Sequence, residues 1–278
     1  MNTIKLGDYN TLTIVKQVDF GMYLDGGDDG EILLPQRYVP QNAKVGEEID
    51  VFIYLDIDER LVATTQKPLA KVGDFAHLSV AWVNNSGAFL AWGLLKDLFC
   101  PFAEQKKKMK QDEKHIVYVL IDKQTHRIMA SAKVEHYLNK TPTTFEHEEE
   151  ADLLIWQETD LGYKVIINNQ YQGLIYKNQV FKPIAIGDKM KGYITQVRPD
   201  GKIDVALQRS GRQMTEDFSD TLITYLKEHN GVCYLGDKSS PEEIKQVFNV
   251  SKKVFKKTVG DLYRRRLIAI ENKKISLL

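Results

Sequence analysis

A chain of 278 residues is long enough for about two to four small domains. Its 43% hydrophobic and 27% charged residues are those of an ordinary globular protein, and no apolar run nears the roughly 20 residues that span a bilayer, so no membrane partner is expected. The 38 basic and 38 acidic residues cancel, so global charge names no partner.

The opening "MNTIKLGDYN" has neither the basic nor the apolar region of a signal peptide. Cys100 and Cys233, far apart, suggest neither a disulfide framework nor a zinc site, which fits a reducing, cytoplasmic home. The first elements are short: "LTIVKQV", "GMYL", "EILL", "IDVFIYLD" and "LVATT". They are rich in β-branched and aromatic residues and are bounded by Gly, Asp and Asn, which predicts strands. Five strands in some 65 residues fit a small closed or partly open barrel.

The chain then repeats itself. "GMYLDGGDDGEILLP", Gly21 to Pro35, returns as "GAFLAWGLLKDLFCP", Gly87 to Pro101. Gly7 and Gly73, Tyr23 and Phe89, Glu31 and Asp97, and Asp56 and Asp122 all stand 66 residues apart. Arg60 and Arg127 are 67 apart, so one residue is inserted in the turn between. A weaker third copy sets Gly21 against Gly162, Leu33 against Leu174 and Gly46 against Gly187, each at 141. Arg60 to Lys202 is 142, read as the same turn insertion, and the unit runs from near Glu149 to near Gln208. Gly21, Gly87 and Gly162 read as bends or bulges in strongly curved strands.

After the third copy the period changes. "DFSDTLITYLKEHN" predicts a helix with Phe218, Leu222, Tyr225 and Leu226 at core spacing and Asn230-Gly231 as its stop. Ser240, Pro241 and Glu243 spell the start of a second helix, with a capping box. A third runs from about Ser251 to Arg264, with Val254, Phe255, Val259 and Leu262 on one side and Lys252, Lys253, Lys256 and Lys257 on the other. "LIAI", "ENK" and "KISLL" then predict a hairpin. Helix, helix, helix, hairpin is a winged helix. The expected fold class is mainly β with an α+β C-terminal domain. It comprises three tandem OB-type five-stranded barrels over residues 1–66, 67–139 and 140–210, followed by a winged helix over 211–278.

"VDFGMYL…EILLP…GEEIDVFIYLDIDERLVAT" resembles the RNA-binding repeat of bacterial ribosomal protein S-one, an OB-type barrel. Three such repeats before "LGDKSSPEEIKQVFNVSKKVFKKTVGDLYRRRLIAIENKKISL" resemble the bacterial conserved virulence factor B family over nearly the whole chain. The resemblance implies a nucleic-acid-binding protein, mainly for RNA, and not an enzyme. It implies bases stacked on aromatics of the second and third strands, beside basic residues. Carried over, these are Phe20, Tyr23 and Arg60 in the first copy and Phe89 and Arg127 in the second, where Ser86 takes the place of Phe20. The third copy has Leu161, Lys164 and Lys202. A histidine implied in the fourth-strand region is Pro35, Pro101 and Tyr176.

Exposed rings would stack bases; buried ones would fill a barrel core. Alternation sets Met22 and Leu24 on one face and Tyr23 on the other. The four units carry net charges of −7, +4, −1 and +4, so the better aromatics sit in the acidic first unit. The second has the basic loop Lys106, Lys107, Lys108, either a phosphate contact or a solvated charge run. The lysine face of the third helix reads as a nucleic-acid contact or as that helix's soluble side. The six histidines form no pair at metal-ligand spacing, and no phosphate-cradling loop or nucleophile motif is present. No catalytic residue, metal or cofactor is therefore expected. The reading is a bacterial cytoplasmic protein that binds single-stranded RNA and regulates genes post-transcriptionally. Its rivals are a DNA-binding transcription regulator and a protein-docking scaffold.

Overall fold

The computed structural model describes residues 3–139, 144–180, 183–209, 211–236, 238–271 and 274–278. The expected boundary residues 140 and 210, and residues 272–273 in the wing turn, lie outside these. The first unit folds as β1 (Tyr9–Val18), β2 (Gly21–Asp25), β3 (Glu31–Pro35), β4 (Glu48–Leu55) and β5 (Leu61–Thr64). The second gives β6 (Phe75–Val83), β7 (Gly87–Ala91), β8 (Leu98–Pro101), β9 (Lys114–Ile121) and β10 (Ile128–Ser131). The third gives β11 (Glu150–Glu158), β12 (Gly162–Ile167), β13 (Tyr171–Tyr176), β14 (Lys189–Val197) and β15 (Ile203–Ala206). Each set closes into a barrel in the same strand order, which is β1-β2-β3-β5-β4 in the first. The third and fifth strands run parallel; the other pairings in the first two barrels are antiparallel.

The repeated glycines have a sharper reason than a bulge. A Cβ on Gly21 would collide with the Leu34 carbonyl oxygen, and one on Gly87 with that of Cys100. Only glycine lets the second strand begin this close to the third. The bulges lie one strand earlier. Ile14 pairs with Leu24 and Lys16 with Tyr23, so Val15 is extra; Ala81 and Trp156 are extra in the same way. The insertion also needs correction. The second copy does lengthen its turn, where Asp122 N–H donates to Arg127 O five residues on, against Asp56 to Arg60 in the first. In the third copy the turn keeps the shorter spacing, Arg198 to Lys202, and the extra residue is a bulge at Thr195 of β14. Pro35, Pro101 and Tyr176 end third strands, not fourth ones.

The C-terminal unit runs α1 (Gly211–Glu228), β16 (Val232–Cys233), α2 (Pro241–Phe248), α3 (Lys252–Arg264), β17 (Ile268–Glu271) and β18 (Lys274–Leu277). Ser240 Oγ accepts from Glu243 N–H at 3.1 Å, and Glu243 Oε2 from Ser240 N–H at 2.6 Å, completing the capping box. Asn230 and Gly231 both take positive φ, ending α1. Phe218, Leu222, Leu226, Phe255, Val259 and Leu262 are buried together. α1 begins six residues before the predicted segment, and the two-residue β16, which adds to the wing as Val232–Ser276 and Cys233–Ile275, has too short a pattern to be seen in sequence.

Residues 1–141 lie within one compact unit, and the first two barrels share a core. On β4, Phe52 and Tyr54 point into the second barrel's cluster while Val51 and Ile53 fill the first barrel. Phe52 and Trp92 meet edge to face at 5.9 Å. Cys100 sits in this shared core, fully buried, and burial pushes its thiol up to about 12. Burial disfavours the thiolate, so the thiol stays protonated at pH 8. Native protein is expected to resist iodoacetamide at Cys100 at pH 8 and to react after unfolding in urea, as read by mass spectrometry. Alkylation of the native protein at a free thiol's rate would show that this core opens readily.

Candidate nucleic-acid interface

The bulge in each first strand turns the residue after it onto the barrel's outer face, opposite the second strand's aromatic position. In the first barrel this pair is Lys16 and Tyr23. Lys16 Nζ lies 4.7 Å over the Tyr23 ring and 3.2 Å from Glu31. Phe20 is 58% exposed, in the β1–β2 turn and not in the second strand, and meets Tyr23 edge to face at 6.3 Å. Arg60 grips Asp56 through Nε at 3.0 Å and Nη2 at 2.8 Å, and Asp58 through Nη2 at 2.9 Å. Burial alone would raise the Asp56 carboxyl, but hydrogen bonds from the Arg60 N–H and guanidinium hold it below its usual value. Phe20 and Tyr23 therefore meet, while Arg60, within electrostatic reach of Tyr23, is already held by acids.

The second barrel carries more than its sequence suggested. Trp82 occupies the Lys16 position and stacks on Phe89, with centroids 3.6 Å apart and planes 5° from parallel. Phe99, at the Leu33 position, lies 5.0 Å beyond Phe89. The strand register places Trp82, Phe89, Phe99 and Met129 in one row across β6, β7, β8 and β10. Trp82 is 44% exposed and the next three are half-buried, so the row faces outward and is not barrel core. Trp82 Nε1 donates to Asp97 Oδ2 at 2.9 Å, fixing the indole. Trp82 and Phe99 were missed, although the 66-residue offset pairs them with Lys16 and Leu33.

The basic loop is not one solvated run. Lys106 pairs with Glu135 and lies 4.9 Å over the Trp156 ring. Lys108 lies 5.1 Å over Phe102, whose N–H donates to Ser86 O at 3.2 Å. An exposed ring thus stands beside the position where the second copy lost its Phe20 equivalent. Lys107 is exposed. Arg127 pairs with Glu59.

In the third barrel Gln157 and Lys164 hold the paired positions, Leu161 is exposed, and Lys164 lies 5.2 Å over Trp156. Lys202 pairs with Asp200 at 2.8 Å. Among the described residues, the paired positions of this barrel carry no ring.

In the winged helix, Ser251 caps α3 and Phe255, Thr258, Val259 and Leu262 are buried. Lys253, Lys256 and Lys257 are exposed and Lys252 is half-buried. Arg264, Arg265 and Arg266 follow, the first two near Asp261 at 3.3 and 3.8 Å. Among the described residues no group of three or more His, Cys, Asp or Glu is placed to hold a metal ion, and no helix is long and apolar enough to cross a membrane.

Two family models match this chain: an S1 domain over residues 6–66 and a CvfB-like winged helix domain over residues 220–277. YitL of Bacillus subtilis (strain 168), called an uncharacterized protein, is 26% identical, with 98% of this chain and 93% of YitL aligned. Conserved virulence factor B of Staphylococcus aureus (strain N315) is also 26% identical, over 92% of this chain and 88% of its own. A crystal structure described as a multidomain protein with nucleic acid binding domains, from Streptococcus pneumoniae TIGR4, aligns over 98% of both chains at 20% identity and a TM-score of 0.42. The chain thus carries an S1 domain and a CvfB-like winged helix domain, and it is similar over most of its length to YitL and to conserved virulence factor B.

Proposed function

We propose that this protein binds single-stranded RNA without catalysing a reaction, in the bacterial cytoplasm, and acts in post-transcriptional regulation. The observation that carries the binding reading is the outward row Trp82–Phe89–Phe99 on the OB-type face of the second, basic barrel. Splayed bases stack on such rings whatever their sequence, contributing about 1–3 kcal/mol each. Lys107 and the α3 lysines add phosphate attraction. The regulatory role rests on the likeness to conserved virulence factor B alone.

The test compares single-stranded RNA with duplex DNA by gel shift at two salt concentrations, for the intact protein and for Trp82→Ala. RNA is expected to bind more tightly, and Trp82→Ala to weaken it about 5- to 150-fold, the equivalent of one stacked base. Equal or tighter duplex binding would favour a DNA-binding transcription regulator working through the winged helix. No binding to either would favour a docking scaffold.

A further inference from the structure

The outer faces of the first two barrels meet. Arg127, in the β9–β10 turn, pairs with Glu59 in the β4–β5 turn. Lys96, in the β7–β8 turn, donates from Nζ to Asp56 O at 2.7 Å, and its neighbour Asp97 holds the Trp82 indole. Arg60, beside Glu59, leads into β5, where Val62 continues the row Tyr23–Leu33. A connected path of side chains and turns thus runs from Tyr23 to Trp82. Beneath it the barrels share one hydrophobic core, so their spacing is set by burial and not by a flexible linker.

We propose that the first two barrels form a single track for one strand of RNA, with stacking positions at Tyr23 in the first and Trp82–Phe89 in the second, joined across the Glu59–Arg127 bridge. This rests on the RNA-binding reading above. The bridge has no net positive charge, because Arg60 and Arg127 already face Asp56, Asp58 and Glu59. Both guanidinium groups remain accessible, with side chains 71% and 53% exposed, and exposed pairs of this kind yield readily to a phosphate. Affinity along the track therefore comes from stacking at its two ends. The second end binds intramolecularly once the first is occupied, which multiplies affinity without any new interaction at the middle.

The test measures fluorescence anisotropy of the full chain with unstructured pyrimidine oligoribonucleotides from about 4 to about 16 nucleotides, the range of site sizes for OB folds. The expected result is at least a tenfold gain in affinity from the shortest to the longest, at one long oligonucleotide per chain. Tyr23→Ala should remove most of that gain, while Tyr23→Phe, which keeps the ring, should retain it. Melting curves of each variant check that the fold is kept. A length gain that survives Tyr23→Ala, or two long oligonucleotides bound per chain, overturns the track while leaving RNA binding intact. Failure of every length to bind overturns both.

Discussion

Phe52→Ala is expected to lower stability by about 3–5 kcal/mol, read as a shift of the urea midpoint at unchanged slope. The side chain is fully buried, with Tyr9 at 5.4 Å on one side and Trp92 at 5.9 Å on the other. It belongs to the core that the first two barrels share. Truncation removes the transfer free energy of a phenyl ring and leaves a cavity between two closed barrels, each of which is too rigid to collapse into it. Ile53→Ala is the control: its side chain points the other way, into the first barrel alone, and its cost is about 2–5 kcal/mol. The two should differ in RNA binding, because only Phe52→Ala frees one barrel from the other. The long-oligonucleotide gain should fall for Phe52→Ala and persist for Ile53→Ala. A loss under about 1.5 kcal/mol for Phe52→Ala would mean that the barrels stand independently and that the shared core contributes little.

That double-sided burial was written in the sequence and not read there. "VFIYL" in β4 is a continuous apolar run, where a strand with one wet face would alternate. β9 repeats the device. Val117 and Val119 join the shared core, while Ile116 and Tyr118 pack toward Leu154 and Trp156. The repeats were legible because barrel closure forces glycine, turn acid and strand to recur at fixed offsets. The capping box at Ser240 and the stop at Asn230-Gly231 were legible because caps are local chemistry. The candidate face was legible only in part. A one-residue offset can be a longer turn or a bulge, and only register separates Arg127's turn from Thr195's bulge. Trp82 was hidden because its place in the row depends on a bulge that turns it toward Phe89. The acid partners of Arg60 and Arg127 decide how much of their charge stays uncompensated, and Glu59 is 68 positions from Arg127.

Replacing Lys252, Lys253, Lys256 and Lys257 together by glutamine should weaken binding to every RNA by a similar factor. The four lie within an arc of about 140° on α3, at 100° per residue; Lys253, Lys256 and Lys257 are exposed, and the half-buried Lys252 borders the face that buries Phe255, Val259 and Leu262. This helix carries no Asn or Gln, the side chains that read adenine edges, and its one arginine, Arg264, lies in the last turn beside Asp261. The face therefore offers charge without a reading head, and the contribution proposed for it is release of counterions from phosphates. Every phosphate of a single strand that the substituted helix no longer neutralises should flatten the slope of log affinity against log salt by about 0.7. Four such phosphates set an upper limit of about 2.8 in slope, or roughly 600-fold in affinity at 0.1 M relative to 1 M salt. Glutamine keeps the length, helix propensity and polarity of the side chain, so the melting temperature of the winged helix should move little. Slopes for the intact and substituted proteins, measured on two unrelated RNA sequences, give the answer directly. An unchanged slope would make the lysine face a soluble surface and leave docking to another protein as the better account of this domain. A slope that flattens on one RNA only would mean that α3 reads sequence after all.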